Sequence, residues 1–157
     1  MTRVWRLTTR KWAGMAFDGE GARRHGGRWN HKGVPVVYTA GSQALALLEM
    51  LVQDEPLRAR YVVIAADVPQ DLAIERVRPA DLPADWPLPG QREALRDICG
   101  RWLARGRSAV LAVPSAVVPA ETNYLLNPVH AEFRRVHIGQ PEPFDTDLRL
   151  VDRTRAR

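Results

Sequence analysis

The chain carries one cysteine, Cys99. A single thiol closes no intrachain disulfide and supplies no cysteine-rich zinc site, and such sparing use fits a reducing compartment. No apolar run approaches the ~20 residues of a membrane-spanning helix, and Met1 to Arg10 lacks the apolar core of a secretory leader. A cytoplasmic protein with no membrane association is therefore expected. Phosphate-cradling signatures are missing too. There is no P-loop and no GxGxxG, and the glycines between Gly19 and Gly27 are too loosely spaced to stand for either. His25, His31, His130 and His137 show no HExxH-type spacing, so no metal site is expected. Ser115 lacks a GxSxG elbow, which argues against a serine hydrolase. No internal repeat or low-complexity tract occurs.

What remains is a chain of 157 residues, 45% of them hydrophobic, long enough to bury one core without staples. A single domain over 1–157 is expected, with the basic tail 152–157 flexible. Lys and Arg number 23 against 18 Asp and Glu, a net charge of +5. That balance suits an anionic ligand or an acidic partner. The basic residues are scattered, however, and the densest group is Arg153 to Arg157 at the tail, so nucleic acid is only weakly indicated.

Val4 to Leu7 alternates and predicts an opening strand. Thr8 to Arg24 is aperiodic, a loop with a helical turn that tucks Trp12, Met15 and Phe17 against the core. Val34 to Ala40 reads as a buried strand, with Pro35 near its start where a missing N–H is tolerated. Ser42 is a good N-cap for a helix over about Gln43 to Gln53, with Leu45, Leu48 and Val52 on one face. Tyr61 to Val68 predicts a buried strand and Ala73 to Val77 a shorter one. Pro79 to Pro89 is a proline-rich loop crossing the surface. Arg92 to Arg105 predicts an amphipathic helix ended by Gly106, with Leu95, Ile98, Trp102 and Leu103 inward and Cys99 in the core. Ala109 to Val113 is a further strand, extended by Val117 to Pro119. Glu121 to Pro128 reads as a structured loop, Phe133 to Ile138 as a strand and Leu148 to Val151 as a last short one. The fold class expected is α/β (α+β): a mixed β-sheet with flanking helices, without the regular alternation of a doubly wound fold.

Two features invite chemistry. In Gly26-Gly27-Arg28-Trp29-Asn30, paired glycines deliver an arginine from a tight turn, and a guanidinium so presented can clamp phosphate or carboxylate through two parallel hydrogen bonds. An ordinary surface ion pair would account for Arg28 equally well. Glu49 falls among leucines, one turn beyond Leu45. A carboxylate there needs a partner or a task; a boundary residue or a buried ion pair satisfies the same pattern. Tyr38, in the strand after the turn, and Ser115, leaving a later one, add a phenol and an alcohol at the ends of apolar elements, with Asn123 close behind.

Taken in order, Gly26-Gly27-Arg28-Trp29-Asn30, Val36-Val37-Tyr38-Thr39-Ala40, Ala46-Leu47-Leu48-Glu49, and Val113-Pro114-Ser115 with Asn123-Tyr124-Leu125-Leu126-Asn127-Pro128 resemble the RES domain family. The similarity runs from about Trp5 to His137. The family takes its name from an Arg, a Glu and a Ser, matched here by Arg28, Glu49 and Ser115. The resemblance implies a fold similar to that of ADP-ribosyltransferase toxins, and a toxin that consumes NAD+ by cleaving the nicotinamide–ribose bond. Water, phosphate or a protein side chain would accept the ADP-ribose. NAD+ is then a substrate and no cofactor is needed, with inorganic phosphate an optional co-substrate. Carried over by motif, Arg28, Tyr38 and Glu49 would be catalytic, and Arg28, Trp29, Asn30, Tyr38, Ser115 and Asn123 would bind NAD+. The implied partner is an Xre-like helix-turn-helix antitoxin, with toxin dimers inside a larger complex that reaches DNA only through the antitoxin. A basic nucleic-acid-binding module and a partner-binding protein without catalysis are the competing readings. The first lacks a basic stripe, and the second leaves Glu49 unexplained.

Overall fold

The structure, a computed structural model, describes residues 1–53, 60–147 and 150. The strand expected over 148–151 lies almost wholly outside these residues, as does the basic tail. Eight strands form one mixed sheet: β1 (Thr2–Thr9), β2 (Val37–Ala40), β3 (Tyr61–Val68), β4 (Ile74–Arg76), β5 (Val110–Pro114), β6 (Thr122–Leu126), β7 (His137–Ile138) and β8 (Glu142–Phe144). The spatial order is β4-β5-β6-β2-β1-β3-β7, with β8 also paired to β3. Only β4 and β5 run parallel; the other pairings are antiparallel. Among the described residues three α-helices flank it: α1 (Glu20–His25), α2 (Gln43–Leu51) and α3 (Arg92–Arg105). The mixed sheet with flanking helices is the class expected from the sequence.

Neighbouring residues of a strand point to opposite faces, and the core divides accordingly. Val37 and Leu126 join Val4, Ile64, Ala66 and Val110 on one face, covered by Phe17, Leu72 and Val136. Leu111, Val113 and Leu125 on the other face meet Leu95, Cys99 and Trp102 of α3, together with Trp29, Leu82 and Trp86. Those three α3 residues recur at helical spacing and are at most 1% exposed. Gly106, at φ 59°, takes the left-handed conformation that ends α3 and returns its N–H to the Trp102 carbonyl. A third, smaller cluster seats α2: Leu45 and Ala46 against Leu7, Ala40 and Val118. Ser42 caps that helix, its hydroxyl accepting the Leu45 N–H at 3.1 Å.

Several expectations are corrected. Glu121 to Pro128 is not a loop: its middle is β6, in the interior of the sheet between β5 and β2. Leu125 and Leu126 are both buried because both faces of that strand are covered, which removes the alternation by which a strand is read. Val117 to Pro119 does not extend β5, because the chain turns back after Ser115, whose N–H bonds the Glu121 carbonyl. Phe133 to Ile138 divides into a 3-10 turn over Ala131–Arg135 and the two-residue β7. The strand expected from Val34 begins only at Val37. Phe17 is buried, but Trp12 and Met15 are about half exposed on a 3-10 segment, Arg10–Met15. Leu48 and Val52 also lie outward, so α2 turns a narrower side to the sheet than its leucines suggest.

Leu125→Ala tests the placement of β6. Truncating a fully buried leucine between two covered faces should cost about 3 kcal/mol in chemical denaturation, whereas a loop leucine would cost well under 1 kcal/mol.

Candidate active site

Glu49 lies one helical turn beyond Leu45, on the side of α2 that faces the sheet. Its partners come from neighbouring strands. Ser115, fully buried, follows the last residue of β5. Asn123 on β6 pairs in register with Val113 on one side and Ala40 on the other. Ser115 Oγ donates to Glu49 Oε1 at 2.7 Å, and Asn123 Nδ2 donates to the same oxygen at 2.6 Å. The serine has no freedom in this. Its oxygen already accepts the N–H groups of Val117 and Val118, both at 3.1 Å, so its one proton is directed at the carboxylate. One carboxylate oxygen is thus held twice. Oε2 has no hydrogen-bond partner among the described residues, and neither has the buried Asn123 Oδ1.

Arg28 is half-buried, and its Nη1 donates to the Pro87 carbonyl at 2.9 Å. The proline-rich segment is therefore more than a surface crossing: it grips the arginine and buries Trp86 against Trp29, ring centroids 6.4 Å apart. Burial draws the Arg28 pKa below its ordinary value. Nearby Arg92 adds to that, while the Glu49 carboxylate acts against it. Arg28 thus senses Glu49 through space without bonding it.

Trp29, Asn30 and Tyr38 form a separate knot beneath the turn. The Tyr38 hydroxyl donates to Asn30 Oδ1 at 2.6 Å and accepts the Trp29 N–H at 3.1 Å. Asn30 Nδ2 donates to the carbonyls of Ala22, His31 and Val34 at 2.9–3.1 Å. The side-chain polar groups of Asn30 and Tyr38 are thereby engaged within the chain, and Trp29 is buried. Glycine is required beside them, since a Cβ on Gly27 would stand 2.7 Å from the Tyr38 oxygen and 2.9 Å from Asn30 Oδ1. Burial raises the Tyr38 pKa well above the ordinary tyrosine value.

One residue escaped the sequence reading. Arg6 on β1 donates from Nη1 to the Tyr38 carbonyl at 2.8 Å, and its Nε is buried with no partner among the described residues. Burial lowers its pKa, partly offset by Asp18. An arginine inside an alternating apolar strand carried the same signal as a glutamate among leucines. Cys99 is buried against α3's own neighbours, which pushes its thiol up to about 12 and removes it as a nucleophile. His31, Glu93 and Asp97 bring ligand-type atoms within 4.8 Å of one another, all on exposed residues. A His31–Glu93 contact at 3.1 Å accounts for that grouping. No helix among the described residues is long and apolar enough to cross a membrane.

The knot makes two predictions. Gly27→Ala should lose about 1–3 kcal/mol in a denaturant melt, because the added methyl must separate Tyr38 from Asn30. Tyr38, protonated when folded and titrating near pH 10 when unfolded, contributes stability present below pH 10 and lost as pH rises further. Replacement by Phe should flatten the alkaline fall in a Tm series while lowering stability at neutral pH by about 1–3 kcal/mol, the cost of two unmet buried partners.

A family model, the RES domain, matches residues 3–147. A "Toxin Res" of Photorhabdus laumondii subsp. laumondii is 36% identical over 151 residues, covering 94% of this chain and 96% of that protein. A "Prs ADP-ribosylating toxin" of Sphingobium sp. is 35% identical over 158 residues, covering 96% and 97%. Among solved structures, the M. tuberculosis MbcT-MbcA toxin-antitoxin complex contains a chain that superposes with a TM-score of 0.75. The match covers 99% of this chain and 89% of that one, at 22% identity, which speaks for the fold. With a family model spanning nearly the whole chain and relatives matched end to end, this chain belongs to the RES domain family of toxins.

Proposed function

We propose that the protein is a toxin that consumes NAD+ by breaking the bond between nicotinamide and ribose. The observation that carries this reading is Glu49, anchored through Oε1 by Ser115 and Asn123, with Oε2 left unbonded by the described residues. Nicotinamide leaves as a neutral molecule from a cationic precursor, so the step needs little acid catalysis. It needs a carboxylate beside the ribose as positive charge develops there, as in glycoside cleavage. A glutamate fixed by one oxygen and offering the other meets that need without reorganising. Asn123 Oδ1, buried and unmet, is a ready acceptor for a ribose hydroxyl or an amide N–H. Arg28 suits the diphosphate, because its one hydrogen bond is to a neutral carbonyl and its charge stays available.

Trp29, Asn30 and Tyr38 then shape the site chiefly by holding the Arg28 turn. The tyrosine ring remains available for apolar contact with the substrate, and its hydroxyl is committed. Water, phosphate or a protein side chain accepts the ADP-ribose. Transfer to protein is favoured by one specific fact, the name of the Sphingobium relative as an ADP-ribosylating toxin. By the same kinship the partner is an antitoxin of the Xre-like helix-turn-helix type that covers the cleft, with toxin dimers in a larger assembly acting in the cytoplasm. NAD+ is consumed in this scheme, and neither a metal nor a resident cofactor has a part in it.

Purified protein should release nicotinamide from NAD+, and Glu49→Gln, which keeps an acceptor oxygen but loses the charge, should reduce the rate by roughly 100-fold or more with the fold retained and the Tm lowered by weaker bonds to Ser115 and Asn123. Ser115→Ala should fall between the two, since Asn123 still holds the carboxylate. Mass spectrometry of the products with and without inorganic phosphate identifies the acceptor. A Glu49→Gln protein with full activity would refute the assignment.

A further inference from the structure

The segment carrying Arg28 is bound to the start of α3 along its length. Arg96 Nε donates to the Gly27 carbonyl at 3.0 Å, and His31 meets Glu93 at 3.1 Å. Between them, Arg28 reaches Pro87, from which a 3-10 turn, Pro89–Gln91, leads straight into Arg92. These three contacts bracket Arg28 and bring the first residue of α3 beside it. Arg92 is exposed, and no carboxylate among the described residues pairs with it or with Arg28. Adjacent Glu93 is turned to His31 instead. Gln91 gives α3 no side-chain cap, so the positive end of a 14-residue helix adds to the local field.

Two like charges kept together without a counter-ion are unfavourable, and an anion relieves them. Arg92 joins burial, the larger cause, in disfavouring the charged form of Arg28. We propose that Arg92 is a substrate-binding residue which, with Arg28, forms a two-guanidinium subsite for the diphosphate of a dinucleotide. Glu49 lies near enough for its charge to act on Arg28, so a diphosphate on the two arginines places the attached ribose toward the carboxylate. Arg28 is fixed by Pro87 and supplies direction; Arg92 is free-standing and supplies charge.

The inference rests on the NAD+ reading above, and binding assays separate the two. Arg92→Gln should raise KM for NAD+ roughly 10-fold with kcat within 2-fold and Tm unchanged, and Arg92→Lys should recover part of the loss. Titration calorimetry with ADP, a non-reacting diphosphate, should show a similar weakening in Arg92→Gln. ADP binding that depends on Arg92 in a protein that does not cleave NAD+ would uphold the subsite and reject the NAD+ reading. Unchanged KM and ADP affinity in Arg92→Gln would overturn the proposal. So would loss of inorganic phosphate binding alone, which would assign the arginines to a free anion.

Discussion

A single carboxylate oxygen receives two hydrogen bonds, from Ser115 at 2.7 Å and Asn123 at 2.6 Å, and the placing of Glu49 depends on that junction. It ties α2 to the strands β5 and β6, which the sequence places more than sixty residues away. The apolar seat of α2 is small, chiefly Leu45 and Ala46 against three partners. Hydrogen bonds to a charged acceptor are each worth about 1.5–3 kcal/mol, roughly what burying one large apolar side chain supplies. The contact that aims Glu49 is therefore also one that fixes its helix. In the proposed mechanism function and fold share it, and a change at either strand end is expected to disturb both.

The Arg28 turn follows a different rule. Arg28 is aimed by a peptide carbonyl, a neutral acceptor that sets direction while leaving the guanidinium charge unspent. Beneath it, the Tyr38 hydroxyl and the Asn30 amide bond each other and the backbone around the turn, leaving neither side chain a free polar group. The candidate site thus joins a hydrogen-bonded layer to two acceptors without a partner among the described residues, Glu49 Oε2 and Asn123 Oδ1. Preorganisation of this kind spares the reacting system the cost of turning dipoles during bond cleavage.

Glu49 was legible in the sequence because a charge among leucines needs a partner, and Ser115 and Asn123 prove to be that partner. The glycines around Arg28 marked the tight turn that presents it, though not the Pro87 carbonyl that holds it. Helix α3 could be bounded from Leu95, Trp102 and Gly106 alone. What could not be read was where apolar pattern and burial diverge. Leu125 and Leu126 lie on opposite covered faces, so β6 lacks the alternation that marks a strand and reads as a loop. Leu48, Val52, Trp12 and Met15 are apolar yet exposed, because the sheet offers α2 and the 3-10 segment too little surface to cover them. The division of labour between Tyr38, which holds, and Glu49, which presents an oxygen, depends on distances that no spacing encodes.

The rims of the sheet have a consequence for assembly. At one side stands β4, three residues long; at the other, β7 has two and β8 three. Another polypeptide laying an extended segment along either border would find only a few main-chain groups to zip with, too short a ladder for lasting attachment. Among the described residues, side chains on helices and loops therefore offer a partner more to hold than the sheet borders do.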